Sequence, residues 1–249
     1  MLKGFDAALV GLLMQKFSSL GIDVQLKTQV NRVEKHGSRF IVFARRGGRE
    51  LTFEADLVVH AGGRAPDLAP LDLAAGGVEL EGGHLKLNAY LQSVSNPAVY
   101  AAGDAAQQGP PLTPVSTRDA RAVATNILGG NTPLPDYRAV PTVAFTSPPI
   151  AAVGLTEEEA VQRGLRFRVK SETASSWFTA RQAAEPTYGY KTLVEDDSGL
   201  VLGAHIVGPH ADEVINLFAM AMRHGLTAAD IKATVFAYPT GASDIGYMV

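Results

Sequence analysis

The 249-residue chain has no cysteine, which excludes disulfide staples, thiolate metal sites and any redox-active dithiol supplied by these residues. Thiol chemistry would need sulfur from another polypeptide segment. An excess of charge is also lacking: 22 basic against 25 acidic side chains leave a formal charge of −3, so no footprint for nucleic acid and no charged tail is visible. No segment offers the roughly 18 uninterrupted apolar residues a membrane helix needs, and the amino terminus lacks the apolar core of a signal peptide. The cytoplasm is the expected location. What is present is a 46% hydrophobic composition, enough for substantial cores in one large domain or two of ordinary size.

Leu9, Leu12, Leu13, Phe17 and Leu20 recur at helical spacing, with Gly21 as a stop. The β-prone runs "IDVQLKTQVNRVEKHG", "RFIVFARRGG" and "RELTFEADLVVHAGG" follow, and the apolar alternation around Phe40–Phe43 predicts strands covered on both faces. "ADLVVHAGG" predicts a strand ending in two glycines, where backbone can turn sharply or approach a ligand. A second such strand is expected at Ala98–Ala102, running into Gly103 and Asp104. Val115–Leu128 predicts a helix, and the proline-rich "NTPLPDYRAVP" a boundary near Pro133–Pro141. Beyond it, strand patterns, a capping box at Thr156 and Glu159, a turn at Asp197–Gly199, and a helix carrying Val214, Leu217, Phe218 and Ala221 on one face predict an α+β domain with an antiparallel sheet.

Asp104, at a strand end, suits acceptance of hydrogen bonds from ligand hydroxyls, or else capping of a turn. Thr113 and Pro114 open a helix whose free N–H groups and positive end lie nearby in sequence. His210 and Glu213 share a helix start, but without a third ligand Asp212 and Glu213 read as dipole-complementing residues, so no metal site is expected. His205 fits a packed strand position. Ser243, Asp244 and a distant histidine lack the turn of a serine nucleophile. Tyr188, Tyr190, Tyr238 and Tyr247 suit either a planar ligand or a subunit contact. No Gly-x-Gly-x-x-Gly phosphate turn is present.

The ordered blocks "VVHAGGRAPDL", "VYAAGDAA", "LTPVSTRDARAVATNILGG", "PTVAFTSPPIAAVGLTEEEA", "GYKTLVEDDSGLVLGAHIVGPHADEVINLFAMAMRHG" and "FAYPTGASDIGYM" resemble the carboxy-terminal half of the flavin-dependent pyridine nucleotide-disulfide oxidoreductases, over essentially the whole chain. That family includes glutathione reductase, dihydrolipoamide dehydrogenase, mercuric reductase and the soluble transhydrogenase. The resemblance implies an α/β remainder of FAD- and NAD(P)-binding domains followed by an α+β interface domain with a mainly antiparallel sheet. Residues 1–60 correspond to the latter part of the NAD(P)-binding domain, 61–137 to the returning part of the FAD-binding domain and 138–249 to the dimerisation domain. It assigns Gly103 and Asp104 to the flavin's ribityl chain. Leu112, Thr113 and Pro114 fall beside its isoalloxazine ring, where helix-end donors suit a ring that gains negative charge on reduction. Arg64 and Pro66 match a family turn, with Asp67 where asparagine is usual.

The tail departs from the disulfide reductases. Tyr238 stands where they carry a histidine, and Ser243 where they carry its glutamate partner, with Asp244 one residue late. A tyrosine, with an ordinary pKa of about 10, is a poor base at neutral pH, so standard disulfide-reductase proton chemistry is not expected. Tyrosine before proline-threonine resembles the transhydrogenase branch, although that branch keeps the glutamate. Two functions stay open. One is part of an FAD-dependent NAD(P)H oxidoreductase, with Tyr238 lining the site across a homodimer. The other is a noncatalytic truncated or split dimerisation module that needs a separate N-terminal half. FAD and NAD or NADP are both expected only when that half is supplied, because the phosphate-binding turns lie outside these residues.

Overall fold

A computed structural model describes residues 2–249. Helix α1 (Ala7–Ser19) starts where Asp6 Oδ1 accepts the N–H groups of Ala8 (3.0 Å) and Leu9 (3.2 Å), satisfying two donors that helix geometry leaves free. Leu9 and Leu13, one turn apart, form its buried stripe, and Gly21 in the left-handed region follows its end. Strands β1 (Gln29–His36), β2 (Arg39–Arg46) and β3 (Arg49–Ala55) make a three-stranded antiparallel meander with β2 in the middle. Cover on both faces is not found: Phe40–Phe43 are only half-buried, and Val30 and Val33 on β1 are exposed.

The next expected strand is also absent. β3 stops at Ala55, and the backbone at Leu57–His60 joins no ladder. A strand persists only where a neighbour takes its alternating N–H and C=O groups, and no described strand lies beside this one. Between Ala61 and Arg138 come a 3₁₀ turn at Ala69–Leu71, a short hairpin of β4 (Leu80–Glu81) and β5 (His84–Leu85), a second 3₁₀ turn at Gly103–Ala105, and helix α2 (Thr113–Gly129). The strand expected at Ala98–Ala102 is reduced, for the same reason, to one bridge between Gln92 and Tyr100.

The remaining elements are β6 (Thr142–Ala144), β7 (Ile150–Gly154), α3 (Glu157–Gln162), β8 (Phe167–Thr173), α4 (Phe178–Gln182), β9 (Gly189–Glu195), β10 (Val201–Val207), α5 (Ala211–Arg223), α6 (Ala228–Ala233) and α7 (Ile245–Met248). The five strands pair in the order β6-β7-β10-β9-β8, all antiparallel. The fold is thus α/β with an antiparallel second sheet, as the sequence implies. Gly199, with positive φ, makes the β9–β10 turn, and Thr156 with Glu159 closes the capping box that starts α3. Helix α5 lies on β7 and β10 and buries Val214, Ile215, Phe218, Ala219 and Ala221. Phe218 is therefore used up within the chain's own core. Elsewhere on the helix Leu217 and Met222 are half-buried and Met220 is exposed. Among the described residues, no helix is long and apolar enough to cross a membrane.

The chain divides into two compact units, Ala61–Arg138 on one hand and the segment up to His60 with Ala139–Val249 on the other. The second unit is joined by α1. Leu9 and Leu13 pack with Ile150 and Val207 of the five-stranded sheet, and Phe5, Leu12 and Phe17 cover them. Beside this seam, Lys191 Nζ on β9 meets Asp6 Oδ2 at 2.8 Å and Glu157 Oε2 at 3.0 Å, with the Lys191 and Asp6 side chains only 13% and 7% exposed. Asp6 thus caps α1 with one oxygen and clasps the sheet with the other.

Burial acts to raise the Asp6 carboxyl, but Lys191 and the Leu9 N–H outweigh it and hold the group below its ordinary value of 3.8. Burial likewise acts to lower Lys191, and its bonds to Asp6 and Glu157 raise it instead. The carboxylate's contribution to stability is present above pH 3.8 and is lost as the pH falls through its lower folded value. The ammonium's contribution is complete below 10.5 and is lost as the pH rises through its higher folded value. Lys191→Met, which strands the buried Asp6 charge, should cost about 3 kcal/mol in urea unfolding. Asp6→Asn should remove part of the wild-type loss of stability on acidification, and an unchanged acid limb would show that the clasp is not the titrating element.

Candidate functional site

The sequence-predicted ligand residues Gly103, Asp104, Leu112, Thr113 and Pro114 fall in one unit, where the 3₁₀ turn packs on α2. Gly103 has φ 63°, and a Cβ there would lie 2.5 Å from Ser116 Oγ, so the turn can sit on α2 only as glycine. Asp104 is exposed and makes no hydrogen bond or ion pair among the described residues, which leaves its carboxylate free to accept from a ligand. Leu112 is the N-cap of α2 and offers no side-chain acceptor. The N–H of Ser116 reaches Leu112 O at 3.0 Å, whereas those of Thr113 and Val115 find no acceptor among the described residues. Pro114 at the start has no N–H to satisfy. A free carboxylate can accept from hydroxyls, and the N–H groups of the open, positive helix start beside it can donate to a group that gains negative charge.

One residue of this site escaped the sequence reading. Asp119, fully buried on α2, takes the Gly103 N–H at 3.0 Å and the Tyr137 hydroxyl at 2.9 Å. The only hint is an aspartate in a helix interior, where its propensity is poor.

The tail lies in the other unit. Tyr238 is 75% exposed, and its ring sits 6.0 Å from that of Phe178. A groove of about 330 Å³ beside it is lined by Lys232, Thr234, Phe236, Tyr238, Ser243, Gly246 and Tyr247. Ser243 is consumed in a capping box with Thr240. Asp244 points inward instead, where it accepts the Tyr188 hydroxyl at 3.0 Å; burial raises its carboxyl against the pull of Thr179 and Tyr188. Neither therefore stands in for the missing glutamate. The four tyrosines divide: Tyr188 and Tyr190 are buried around Trp177, with the Tyr190 hydroxyl on Tyr247 O at 3.2 Å, and only Tyr238 and Tyr247 face outward. Thr192 Oγ1 also donates to Met248 O, so the last residues are stitched to β9.

His205 is buried in β10, with Nε2 on Leu155 O at 3.0 Å, and burial lowers its pKa. His210 occupies the N-cap of α5 in the left-handed region, ahead of Asp212 and Glu213. Among the described residues, no three histidine, aspartate or glutamate side chains gather as a metal-binding group.

Residues 1–120 match the family model described as pyridine nucleotide-disulphide oxidoreductase, and residues 140–249 the one described as its dimerisation domain. The chain belongs to the pyridine nucleotide-disulphide oxidoreductase family. It is 32% identical over 244 residues to mercuric reductase of Staphylococcus aureus, covering 98% of this chain and 44% of that one. It is 30% identical over 241 residues to dihydrolipoyl dehydrogenase of Bacillus subtilis, covering 96% of this chain and 51% of that one. The chain thus spans about half the length of these relatives. It also covers the whole of an uncharacterised 19.7 kDa protein of a Staphylococcus aureus mercuric resistance operon, at 44% identity over 180 residues and 72% of this chain. Among solved structures, the HOCl-induced flavoprotein disulfide reductase RclA of Escherichia coli shares the fold, with a TM-score of 0.85 at 24% identity over 99% of this chain and 56% of that one. Members of this oxidoreductase family use FAD and NAD(P)H, and homodimers are typical of them.

Tyr188→Phe should cost about 1–3 kcal/mol, because it leaves the buried Asp244 short of a donor. Tyr238→Phe, at an exposed position, should stay within about 0.5 kcal/mol of wild type. Equal losses in parallel denaturant titrations would contradict this division of the tyrosines.

Proposed function

We propose that this chain is part of an FAD-dependent NAD(P)H oxidoreductase that passes hydride between nicotinamide and flavin. In this reading residues 1–60 are the latter part of the NAD(P)-binding domain, 61–137 the returning part of the FAD-binding domain, and 138–249 the dimerisation domain of a homodimer. The observation that carries it is the unpartnered Asp104 carboxylate beside the uncapped start of α2, in a family whose members use FAD. Bound FAD would supply the hydride chemistry, and the chain's groups would position it. Asp104 would accept the ribityl hydroxyls. The absence of a Cβ at Gly103 lets that turn seat on α2. The Thr113 and Val115 N–H groups, with Leu112 and Pro114 shaping the helix start, would donate to the ring edge where charge accumulates.

Tyr238 would line the same site from the partner subunit without acting as its base. With Ser243 engaged by Thr240 and Asp244 by Tyr188, the tail has no imidazole–carboxylate pair to protonate a leaving thiolate. Turnover is therefore expected with acceptors other than a small disulfide substrate that needs this proton relay. NAD or NADP binding would require the phosphate-binding turn of a further N-terminal segment.

A second role, a noncatalytic dimerisation module needing a separate N-terminal half, is favoured by one observation. Leu57 and Val59 are 74% and 75% exposed on a segment with strand-like sequence and, among the described residues, no strand beside it. The flavin absorbance of the purified chain separates the two. One FAD per chain without a second polypeptide sinks the module role, and in that case Asp104→Ala should weaken FAD binding roughly 10-fold to 100-fold. FAD uptake only after addition of an N-terminal half of the family supports the module.

A further inference from the structure

The segment from Gly103 to Leu112 joins the two groups assigned above to the flavin, and it is held from behind by two side chains. At its start, Asp119 Oδ2 accepts the Gly103 N–H at 3.0 Å. In its middle, Gly109 lies against the Tyr137 ring so closely that a Cβ would fall 2.4 Å from Cε1. At its end, Leu112 runs directly into α2, the helix that carries Asp119. The Tyr137 hydroxyl closes the circuit by donating to Asp119 Oδ1 at 2.9 Å. Burial, and then Asp119, push the Tyr137 phenol far above its ordinary range, so it stays a hydrogen-bond donor.

The chemistry of position 119 is specific. Two donors, an amide and a phenol, converge on one fully buried side chain, and a carboxylate accepts from both. Leucine or alanine would leave both half-buried donors without a partner. An asparagine can keep both contacts only by accepting from Gly103 and donating to a reversed Tyr137 hydroxyl, with neutral bonds in place of charge-assisted ones. Tyr137 stands in the proline-rich linker, one residue before Arg138, which ends this unit. The linker and the turn at Asp104 therefore share one anchor.

We propose that Asp119 is a positioning residue, which with Tyr137 sets Asp104 and the open start of α2 at a fixed separation before flavin arrives and orders the linker together with them. This rests on the assignment of Asp104 to the flavin. Preset geometry matters because ordering a loop on binding subtracts directly from affinity.

The test has an arm that needs no flavin. Amide hydrogen exchange at Gly103, read by NMR in the full chain, should accelerate at least about 10-fold in Asp119→Ala and less in Asp119→Asn. Tyr137→Phe, which spares the Gly103 bond, should give a smaller rise and serves if Asp119→Ala does not fold. Wild-type exchange at Gly103 in Asp119→Ala, or in Asp119→Asn and Tyr137→Phe together should the alanine variant not fold, overturns the clamp. In the flavin arm, fluorescence titration with FAD should show affinity falling about 10-fold in Asp119→Ala, with partial recovery in Asp119→Asn. Fast exchange with unchanged FAD affinity in a chain where Asp104→Asn loses it overturns the positioning role. Should the chain alone take up no FAD, the titrations are run with an N-terminal half of the family added; wild-type FAD affinity in Asp104→Asn, or no FAD affinity in wild type even then, overturns the flavin assignment instead, and the exchange arm then decides the clamp alone.

Discussion

The Asp6 carboxylate is the contact on which the larger unit depends. One oxygen starts α1 and the other grips Lys191 of the antiparallel sheet, so a helix from the beginning of the chain and a strand from far along it share a single buried charge. The apolar seam of Leu9, Leu13, Ile150 and Val207 supplies non-directional attraction. The carboxylate adds direction, because a buried charge is tolerated only where its partners are in place. The same constraint recurs at Asp119 and Asp244. Each accepts hydrogen bonds from groups remote in sequence, and each binds a loop or tail to a regular element.

In contrast to these inward-facing carboxylates, Asp104 lies exposed in the 3₁₀ turn that packs on α2. Its carboxylate has no partner among the described residues and sits beside an uncapped helix start, while the turn that carries it is held by Asp119. In the tail the logic is reversed. Ser243 and Asp244, the two residues near the position of the family's acid–base partner, are spent on holding the tail to its own unit. Tyr238 is then left exposed, with Phe178 as its aromatic neighbour. Neither of these two side chains is therefore turned toward position 238 as a carboxylate partner.

Helices and turns were legible because their signals are local. The stripe of Leu9 and Leu13, the stop at Gly21, the capping box at Thr156 and Glu159 and the turn at Gly199 each depend on residues within a few positions of one another. Strands at Leu57–His60 and Ala98–Ala102 were misjudged because strand propensity describes a fit to a neighbouring strand, and neither segment has one among the described residues. The helix face at Leu217 and Phe218 is legible in its period, and Phe218 packs within the chain's own core. Periodicity shows which side is apolar, and does not show whether the chain's own sheet or another subunit covers it. Asp119 was missed because its two donors lie 16 residues before and 18 residues after it.

By itself the sequence determined the local elements, the lack of thiol chemistry in these residues and, through blocks in a characteristic order, the family. Those properties are carried by residue type and near-neighbour spacing. Only the tertiary structure decided which carboxylates are committed to the scaffold and which are left exposed, and which tyrosines are core and which are surface. It also decided which apolar face the chain covers for itself. Such outcomes depend on burial and on pairing between distant segments, and a side chain's chemistry is set by the partners that folding brings to it.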